Sequence, residues 1–157
     1  MLVLGGGLMG RAAAHDMCRQ PDVEAVVVAD IDEEKARDAA AFARSERVSP
    51  LTLDVTDPDQ TLAAMSEADA QQRASTKRAE LVLTRLAIDA GVHFSDMGGN
   101  NSVVAEQLAL DTEARAAGVS VIPDTGLAPG MVSILAMHGV RDMDEAAGLS
   151  DRIAPEH

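Results

Sequence analysis

Short runs of apolar residues alternate along this sequence with longer segments in which apolar residues recur at helical spacing. Alternation of this kind is typical of an α/β protein whose parallel sheet is covered by helices on both faces. The apolar runs predict strands over residues 1–4, 23–30, 48–55, 92–96 and 119–123. The segments between them predict helices over residues 11–19, 33–43, 58–65, 79–90, 102–117 and 130–138. The sequence therefore predicts a three-layer α/β/α protein with a doubly wound parallel sheet.

One strand is missing from this alternation. After the helix that ends near residue 65 a buried strand is expected, yet residues 71–78 are Gln-Gln-Arg-Ala-Ser-Thr-Lys-Arg. In the common strand order 3-2-1-4-5-6 the fourth strand lies directly beside the first, so its side chains are covered by helices. Burying unpaired charges there is costly unless the segment lies outside the sheet. The prediction therefore leaves one expected strand, near residues 69–78, in doubt.

The first predicted strand leads into a glycine-rich turn. Residues 5–10 are Gly-Gly-Gly-Leu-Met-Gly, which matches G-x-G-x-x-G with Gly5, Gly7 and Gly10 at the key places. The first glycine allows the turn, the second lets the backbone approach a pyrophosphate, and the third lets helix and strand pack closely. The second strand ends at Asp30, where a carboxylate can accept hydrogen bonds from an adenosine ribose. The stretch predicts a Rossmann-type dinucleotide site, and another adenosyl ligand such as a methyl donor is the alternative.

The composition narrows the classes of function. The 157 residues favour a single domain, and the formal net charge of −13 disfavours nucleic acid and anionic membranes as partners. The single cysteine excludes an internal disulfide and suits a reducing compartment. No apolar run approaches the roughly 18 residues of a membrane span, and no signal peptide is visible. We therefore expect a soluble, cytoplasmic protein.

Polar residues at the ends of the later strands are candidates for chemistry. Asp96 and Asp124 follow strands at the ligand-bearing edge, so each either orients an amino substrate or caps a turn beside its glycines. Asn100 and Asn101 are expected to cap a helix rather than to contact substrate. His93 lies within a strand, where a packed histidine is expected rather than a catalytic one. The histidines and the cysteine lack metal-ligand spacing, so no metal site is predicted and no residue is assigned a catalytic role.

Four stretches of the sequence resemble one known family. They are GGGLMGRAAAHDM, VVVADID, GVHFSDMGGNN and AAGVSVIPDTGLAPGMVSILA. Together they resemble the saccharopine dehydrogenase family, most closely its lysine 6-dehydrogenase and saccharopine reductase-like branch. The run IPDTGLAPG after the DMGGN loop is far more specific than the glycine motif. The resemblance covers residues 1 to about 140, apart from the neighbourhood of residues 71–78.

The resemblance implies an NAD(P)-dependent oxidoreductase of lysine metabolism that transfers hydride at the C–N bond of an amino acid. It implies NAD or NADP as the cofactor, and Asp30 favours NAD, with NADP as the alternative, because a 2′-phosphate would meet a like charge there; Arg11 and Lys35 temper that preference. The residues it assigns to the pyrophosphate are Gly5, Gly7, Leu8, Met9 and Gly10. The residues it assigns to the adenosine are Asp30 and Ile31 at the ribose and Asp54 and Val55 at the adenine edge.

The sequence also departs from the family. Family members continue into a second domain that carries much of the substrate site, whereas here residues 1–140 form the predicted cofactor domain and residues 141–157 a frayed tail. An apolar strand of the family is replaced at residues 71–78, which suggests a reading frame disturbed around residues 71–79 and after about residue 147. The alternative to an active enzyme is therefore a truncated dinucleotide-binding module without turnover. An unpaired sheet edge favours self-association into a homo-oligomer.

Overall fold

A computed structural model describes residues 1–73, 80–98, 100–141 and 143 of the protein. Six parallel strands form one sheet in the order β3-β2-β1-β4-β5-β6. The strands are β1 (Leu2–Leu4), β2 (Val26–Asp30), β3 (Val48–Thr52), β4 (Ala70–Arg73), β5 (His93–Asp96) and β6 (Val121–Ile122). The helices are α1 (Leu8–Met17), α2 (Glu33–Ala43), α3 (Pro58–Ser66), α4 (Glu80–Ala90), α5 (Asn101–Leu108), α6 (Asp111–Ala117) and α7 (Val132–Arg141). The predicted Rossmann-type, doubly wound parallel sheet is confirmed.

The strand that the sequence left in doubt is present at the centre of the sheet. Strand β4 lies between β1 and β5, and its residues 71–73 pair in parallel with Leu2–Leu4. The doubt about this strand was wrong, because it rested on side-chain polarity alone. The backbone N–H and C=O groups of β1 and β5 each need partners inside the sheet, and a polar segment supplies them as well as an apolar one. Residues 74–78 of the questioned stretch lie outside the described residues.

Side-chain caps and left-handed residues set the helix boundaries. The Asp32 carboxylate accepts hydrogen bonds from the backbone N–H groups of Glu34 and Lys35 at 3.0 and 3.4 Å, as an N-cap does. Asp57 caps α3 in the same way before Pro58. At the other ends, α4 and α6 stop at Gly91 and Gly118, whose φ angles of 70° and 71° favour glycine.

Three predicted helices differ in the structure. Helix α1 spans Leu8–Met17 rather than residues 11–19, because it begins directly after Gly7. The helix predicted over residues 102–117 is divided into α5 and α6, because the chain turns at Leu110 and buries this side chain against Ile88. The last helix begins at Val132 rather than at Gly130, whose φ of 114° is not helical. Residues 142 and 144–157 lie outside the described residues, so the domain boundary near residue 140 and the frayed tail stay predictions.

The core lies on both faces of the sheet. Leu2 and Leu4 of β1 pack on one face with Met65, Leu83 and Phe94. Val3, between them, points to the other face, where it packs with the residues Ala14, Val26, Val28 and Ala39. This alternation follows from the two-residue period of a strand. Within the described part of the chain, no helix is long and apolar enough to span a membrane.

Candidate functional site

The turn between β1 and α1 uses its glycines in different ways. Gly5 has a φ of 106°, which side chains rarely tolerate. A Cβ atom on Gly6 would lie 2.7 Å from the carbonyl oxygen of Lys35, so packing against α2 requires glycine there. A Cβ atom on Gly7 would meet nothing within 4 Å, and its φ of −69° suits any residue. Neither the backbone nor the packing of the described residues requires a glycine at position 7. A ligand bound close to the backbone would require one, because a side chain there would occupy its space.

The Asp30 carboxylate is fixed beside this turn. Its Oδ2 accepts a hydrogen bond from the backbone N–H of Gly6 at 2.8 Å, and its Oδ1 accepts one from the N–H of Asp32 at 3.0 Å. Asp30 remains half-buried. Because an ionised carboxylate can accept about four hydrogen bonds, it keeps acceptor capacity for the hydroxyls of a ribose. Sequence reasoning did not single out Gly6, although three consecutive glycines were a visible sign of it.

A cavity of about 200 Å³ opens next to Asp30 at the carboxyl ends of β1, β2 and β3. Its lining includes five of the residues predicted to bind the cofactor, namely Gly5, Asp30, Ile31, Asp54 and Val55. Leu4, Ala29, Leu53, Thr56 and Leu83 complete its wall. The wall thus combines an apolar floor with two carboxylates, which is the composition expected where a base and a ribose are bound.

Thr56 lowers the pKa of Asp54 in this cavity. The Thr56 hydroxyl donates to Asp54 Oδ1 at 2.7 Å, and the Thr56 backbone N–H donates to the same oxygen at 2.9 Å. These two hydrogen bonds, the hydroxyl first, hold the pKa of Asp54 below its usual value. Asp54, whose usual pKa of 3.8 already lies well below neutral pH, is an anion there and can accept hydrogen bonds from a ligand.

The remaining predicted residues lie at the start of α1. Leu8 and Met9 are 72% and 58% exposed, whereas Gly10 is buried in the first turn. No side chain among the described residues caps this helix, so its first N–H groups are left for solvent or for an anion. A helix N-terminus in this state attracts a phosphate through its N–H groups and its dipole. All nine predicted residues therefore lie along the carboxyl edge of β1, β2 and β3 or in the turn that opens α1.

The carboxylate of Asp96 is occupied by the protein. Asp96 is 1% exposed, and its Oδ1 accepts from the N–H groups of Gly98 and Asp124 at 2.8 and 3.0 Å. Its Oδ2 accepts from Gln107 Nε2 at 2.6 Å. Of the two roles left open for Asp96, the geometry favours turn capping over direct contact with substrate. Gln107, which sequence reasoning missed, is 2% exposed and also donates to Thr84 Oγ1 at 2.9 Å.

The other polar candidates differ in how far the protein uses their side chains. Asn100 accepts from the N–H of Ser102 at 3.1 Å and caps α5, and Asn101 is the first residue of that helix. His93 is exposed rather than packed, because it is the first residue of β5, and its Nδ1 accepts from the N–H of Ser120 at 3.0 Å. Asp124 has a φ of 58°, and its carboxylate has no hydrogen-bond partner among the described residues.

Comparisons with known proteins agree with this geometry. Residues 1–122 match the family model described as the saccharopine dehydrogenase NADP binding domain. Among solved structures, the chain is similar to apo saccharopine dehydrogenase (L-Glu forming) from Saccharomyces cerevisiae. That match has a TM-score of 0.71 and 22% identity, and covers 90% of this chain and 30% of the other.

Two further structures share the fold. GenD2 from gentamicin A biosynthesis, in complex with NAD, matches with a TM-score of 0.61 and 21% identity over 90% of this chain and 39% of its own. UDP-N-acetylglucosamine 3-dehydrogenase GnnA from Acidithiobacillus ferrooxidans matches with a TM-score of 0.60 and 20% identity over 90% of this chain and 41% of its own. The chain thus spans well under half the length of these proteins.

The glycine turn, the Asp30 carboxylate and the open space at Gly7 fit a nicotinamide dinucleotide, which would supply a hydride acceptor or donor when bound. The family match covers most of the chain and includes all nine residues of this site. The resemblance noted in the sequence is confirmed: the chain belongs to the saccharopine dehydrogenase family, through its NADP-binding domain.

Proposed function

We propose that this chain is the cofactor-binding part of a dehydrogenase of the saccharopine and lysine dehydrogenase type, which transfers hydride at the C–N bond of an amino acid. The observation that carries the proposal is the Asp30 carboxylate, fixed by the Gly6 N–H at 2.8 Å beside the open space at Gly7. The amine or imine carbon as the reacting centre is what the resemblance to saccharopine and lysine dehydrogenases implies. An amino-acid substrate is therefore the proposed small-molecule partner.

The charges around the site support NAD over NADP. The phosphate of NADP would replace the ribose hydroxyl that Asp30 is placed to accept, so two negative groups would meet. Among the cations of the described part of the chain that could offset this repulsion, Lys35 lies 3.6 Å from the Asp32 carboxylate, and the Arg11 guanidinium lies 5.0 Å from the centre of the Phe42 ring. Each of these two cations thus contacts another group of the protein. The description of the family names NADP, so the preference requires a direct test.

Titration calorimetry with NADH and NADPH tests the cofactor half of the proposal. We expect NADH to bind more tightly than NADPH, and Asp30→Ala to weaken NADH about tenfold through the lost ribose hydrogen bonds. Asp30→Asn should reduce the preference for NADH over NADPH, because it removes the charge that repels the 2′-phosphate of NADPH. Asp38→Asn is the matched control, since Asp38 is an exposed carboxylate on α2 that does not line the cavity. If the Asp30 and Asp38 variants changed the affinities for NADH and NADPH equally, Asp30 would act only through the net charge of the protein and not through contact with the ribose.

Reduction of NAD in the presence of lysine or saccharopine tests the catalytic half. NADH formation that depends on the amino acid supports the dehydrogenase. Binding of NADH without any reduction supports instead a dinucleotide-binding module, and affinity for S-adenosylmethionine without affinity for NADH supports a methyl-donor site. Absence of all binding contradicts each of these proposals.

A further inference from the structure

The loops that follow β5 and β6 are joined through one buried residue. This residue is Asp96, which accepts hydrogen bonds through its backbone as well as through its carboxylate. Its carbonyl oxygen accepts from the backbone N–H and from the hydroxyl of Thr125, both at 2.7 Å. The loop after β6 is also packed against the loop after β5, because a Cβ atom on Gly126 would lie 3.0 Å from the carbonyl oxygen of Met97. The segment Asp124–Gly126 is therefore held in one place by Asp96 and its neighbours.

This segment lies on the side of the glycine turn opposite to the adenosine cavity. The cavity is built on β1, β2 and β3, whereas Asp96 ends β5 and Asp124 follows β6 on the other side of β1. Ligands of open α/β sheets lie along the carboxyl edge, at the point where the strand order reverses. A dinucleotide with its adenosine over β2 and its pyrophosphate at the turn must therefore extend its second nucleoside toward β5. Two steps between strands amount to about 10 Å.

We propose that Asp96 is a positioning residue that holds the segment Asp124–Gly126 against the nicotinamide half of the bound dinucleotide. The inference rests on the proposed function, since it requires a dinucleotide in the cavity beside Asp30. Asp96 itself does not touch the ligand, because its carboxylate is 1% exposed and receives three hydrogen bonds from the protein. It acts through the N–H of Asp124, which keeps that residue in a conformation that non-glycine residues rarely adopt.

Position 124 offers a matched pair of variants for the test. Asp124→Gly keeps the N–H that donates to Asp96 and suits the φ of 58°. Asp124→Pro removes that N–H and imposes a φ near −65°, so it breaks the bond to the Asp96 carboxylate and displaces the start of the segment without changing a core side chain. Both variants lose the same carboxylate. The difference between them therefore reports the position of the segment and not its charge.

The experiment compares the affinities for NAD and for ADP-ribose, which has the adenosine and pyrophosphate but no nicotinamide. We expect Asp124→Pro to weaken NAD about tenfold, as one or two lost contacts would, and to leave ADP-ribose unchanged. Asp124→Gly should leave both affinities near those of the unaltered chain. Thr125→Val, which loses only the hydroxyl bond to Asp96, should weaken NAD by a smaller factor and serves if Asp124→Pro does not fold.

The outcomes separate this inference from the proposed function. If the unaltered chain binds neither ligand, the proposed function fails. If it binds both, and Asp124→Pro leaves NAD unchanged or weakens both ligands equally, only the role of Asp96 is overturned. An equal loss of NAD affinity in Asp124→Gly and Asp124→Pro also overturns it, because the carboxylate would then account for the effect. Retained ADP-ribose binding reports that each variant is folded.

Discussion

Asp30 and Asp96 end two strands of the same sheet, yet the protein treats their carboxylates differently. Asp30 accepts two backbone N–H groups, stays half-buried and lines a cavity. Asp96 is 1% exposed and accepts two N–H groups and a side-chain amide. A carboxylate at the carboxyl end of a parallel strand is thus available to a ligand only where the protein leaves part of its acceptor capacity free.

Helix α5 accounts for the difference between the two sites. Gln107 lies near the end of this helix, is buried and donates to Asp96 Oδ2 at 2.6 Å. The residue that follows Asp30 is Ile31, which is 66% exposed. The first site therefore remains open for binding, while the second stabilises the two loops beside it.

The largest expected effect comes from removing each carboxylate in turn. Asp96→Ala leaves two part-buried backbone N–H groups and one N–H of the buried Gln107 amide without their acceptor, while Gln107 keeps its bond to Thr84, so we expect the free energy of unfolding to fall by about 3 kcal/mol. Asp30→Ala should lower it by less, about 1 kcal/mol, since it leaves only two donors, the part-buried N–H of Gly6 and the exposed N–H of Asp32. Urea denaturation of both variants measures the contrast.

Asp96→Asn provides the control for this contrast. Gln107 Oε1 is buried and has no hydrogen-bond partner among the described residues. Rotation of the Gln107 amide would let this oxygen accept from an asparagine at position 96, so Asp96→Asn should be milder than Asp96→Ala. Equal stability losses for Asp30→Ala and Asp96→Ala would contradict the division of the two carboxylates into an open and an occupied one.

Adjacent glycines give the next contrast within the open site. Gly6→Ala places a methyl group 2.7 Å from the carbonyl oxygen of Lys35, and we expect it to cost about 1–3 kcal/mol of stability. Gly7→Ala meets no atom within 4 Å, so stability should be preserved while NADH binding weakens. Thermal unfolding and calorimetry with NADH measure the two effects. Loss of stability in Gly7→Ala, or unchanged NADH binding, would contradict the assignment of this space to the ligand.

Much of the open site was predictable because its residues lie close together in the sequence. The turn after β1 and the end of β2 are separated by a single helix, so the glycine spacing predicts an acidic residue at the end of the next strand, where Asp30 lies. The occupied site has no such local pattern. Its hydrogen bonds join Asp96 to Gln107 and to Asp124, which lie 11 and 28 positions away. Only the folded arrangement shows that these donors converge.

The fold was predictable to the extent that side-chain polarity follows burial. Apolar runs located five strands, and Gly91 and Gly118 marked helix ends. Side-chain polarity did not predict strand β4, because the place of this strand is fixed by backbone pairing with β1 and β5. Nor did side-chain polarity predict the break between α5 and α6, because Leu110 and Ala114 continue a helical spacing while packing together with Ile88.

The smallest expected effect concerns the second carboxylate of the open site. Thr56→Val removes the hydroxyl that donates to Asp54 at 2.7 Å, so the pKa of Asp54 should rise toward its usual 3.8 while the Thr56 backbone hydrogen bond keeps it somewhat lower. Since folding lowers this pKa, the associated stabilisation is present above the pKa of the unfolded chain and is lost as the pH falls through the lower, folded value. Carboxyl carbon chemical shifts followed below pH 5 measure the change.

The affinity for NADH provides the control. Because Asp54 stays ionised at neutral pH with or without the Thr56 hydroxyl, Thr56→Val should leave the pH dependence of NADH affinity unchanged between about pH 6 and 8. A changed pH dependence in that range would indicate a different titrating group.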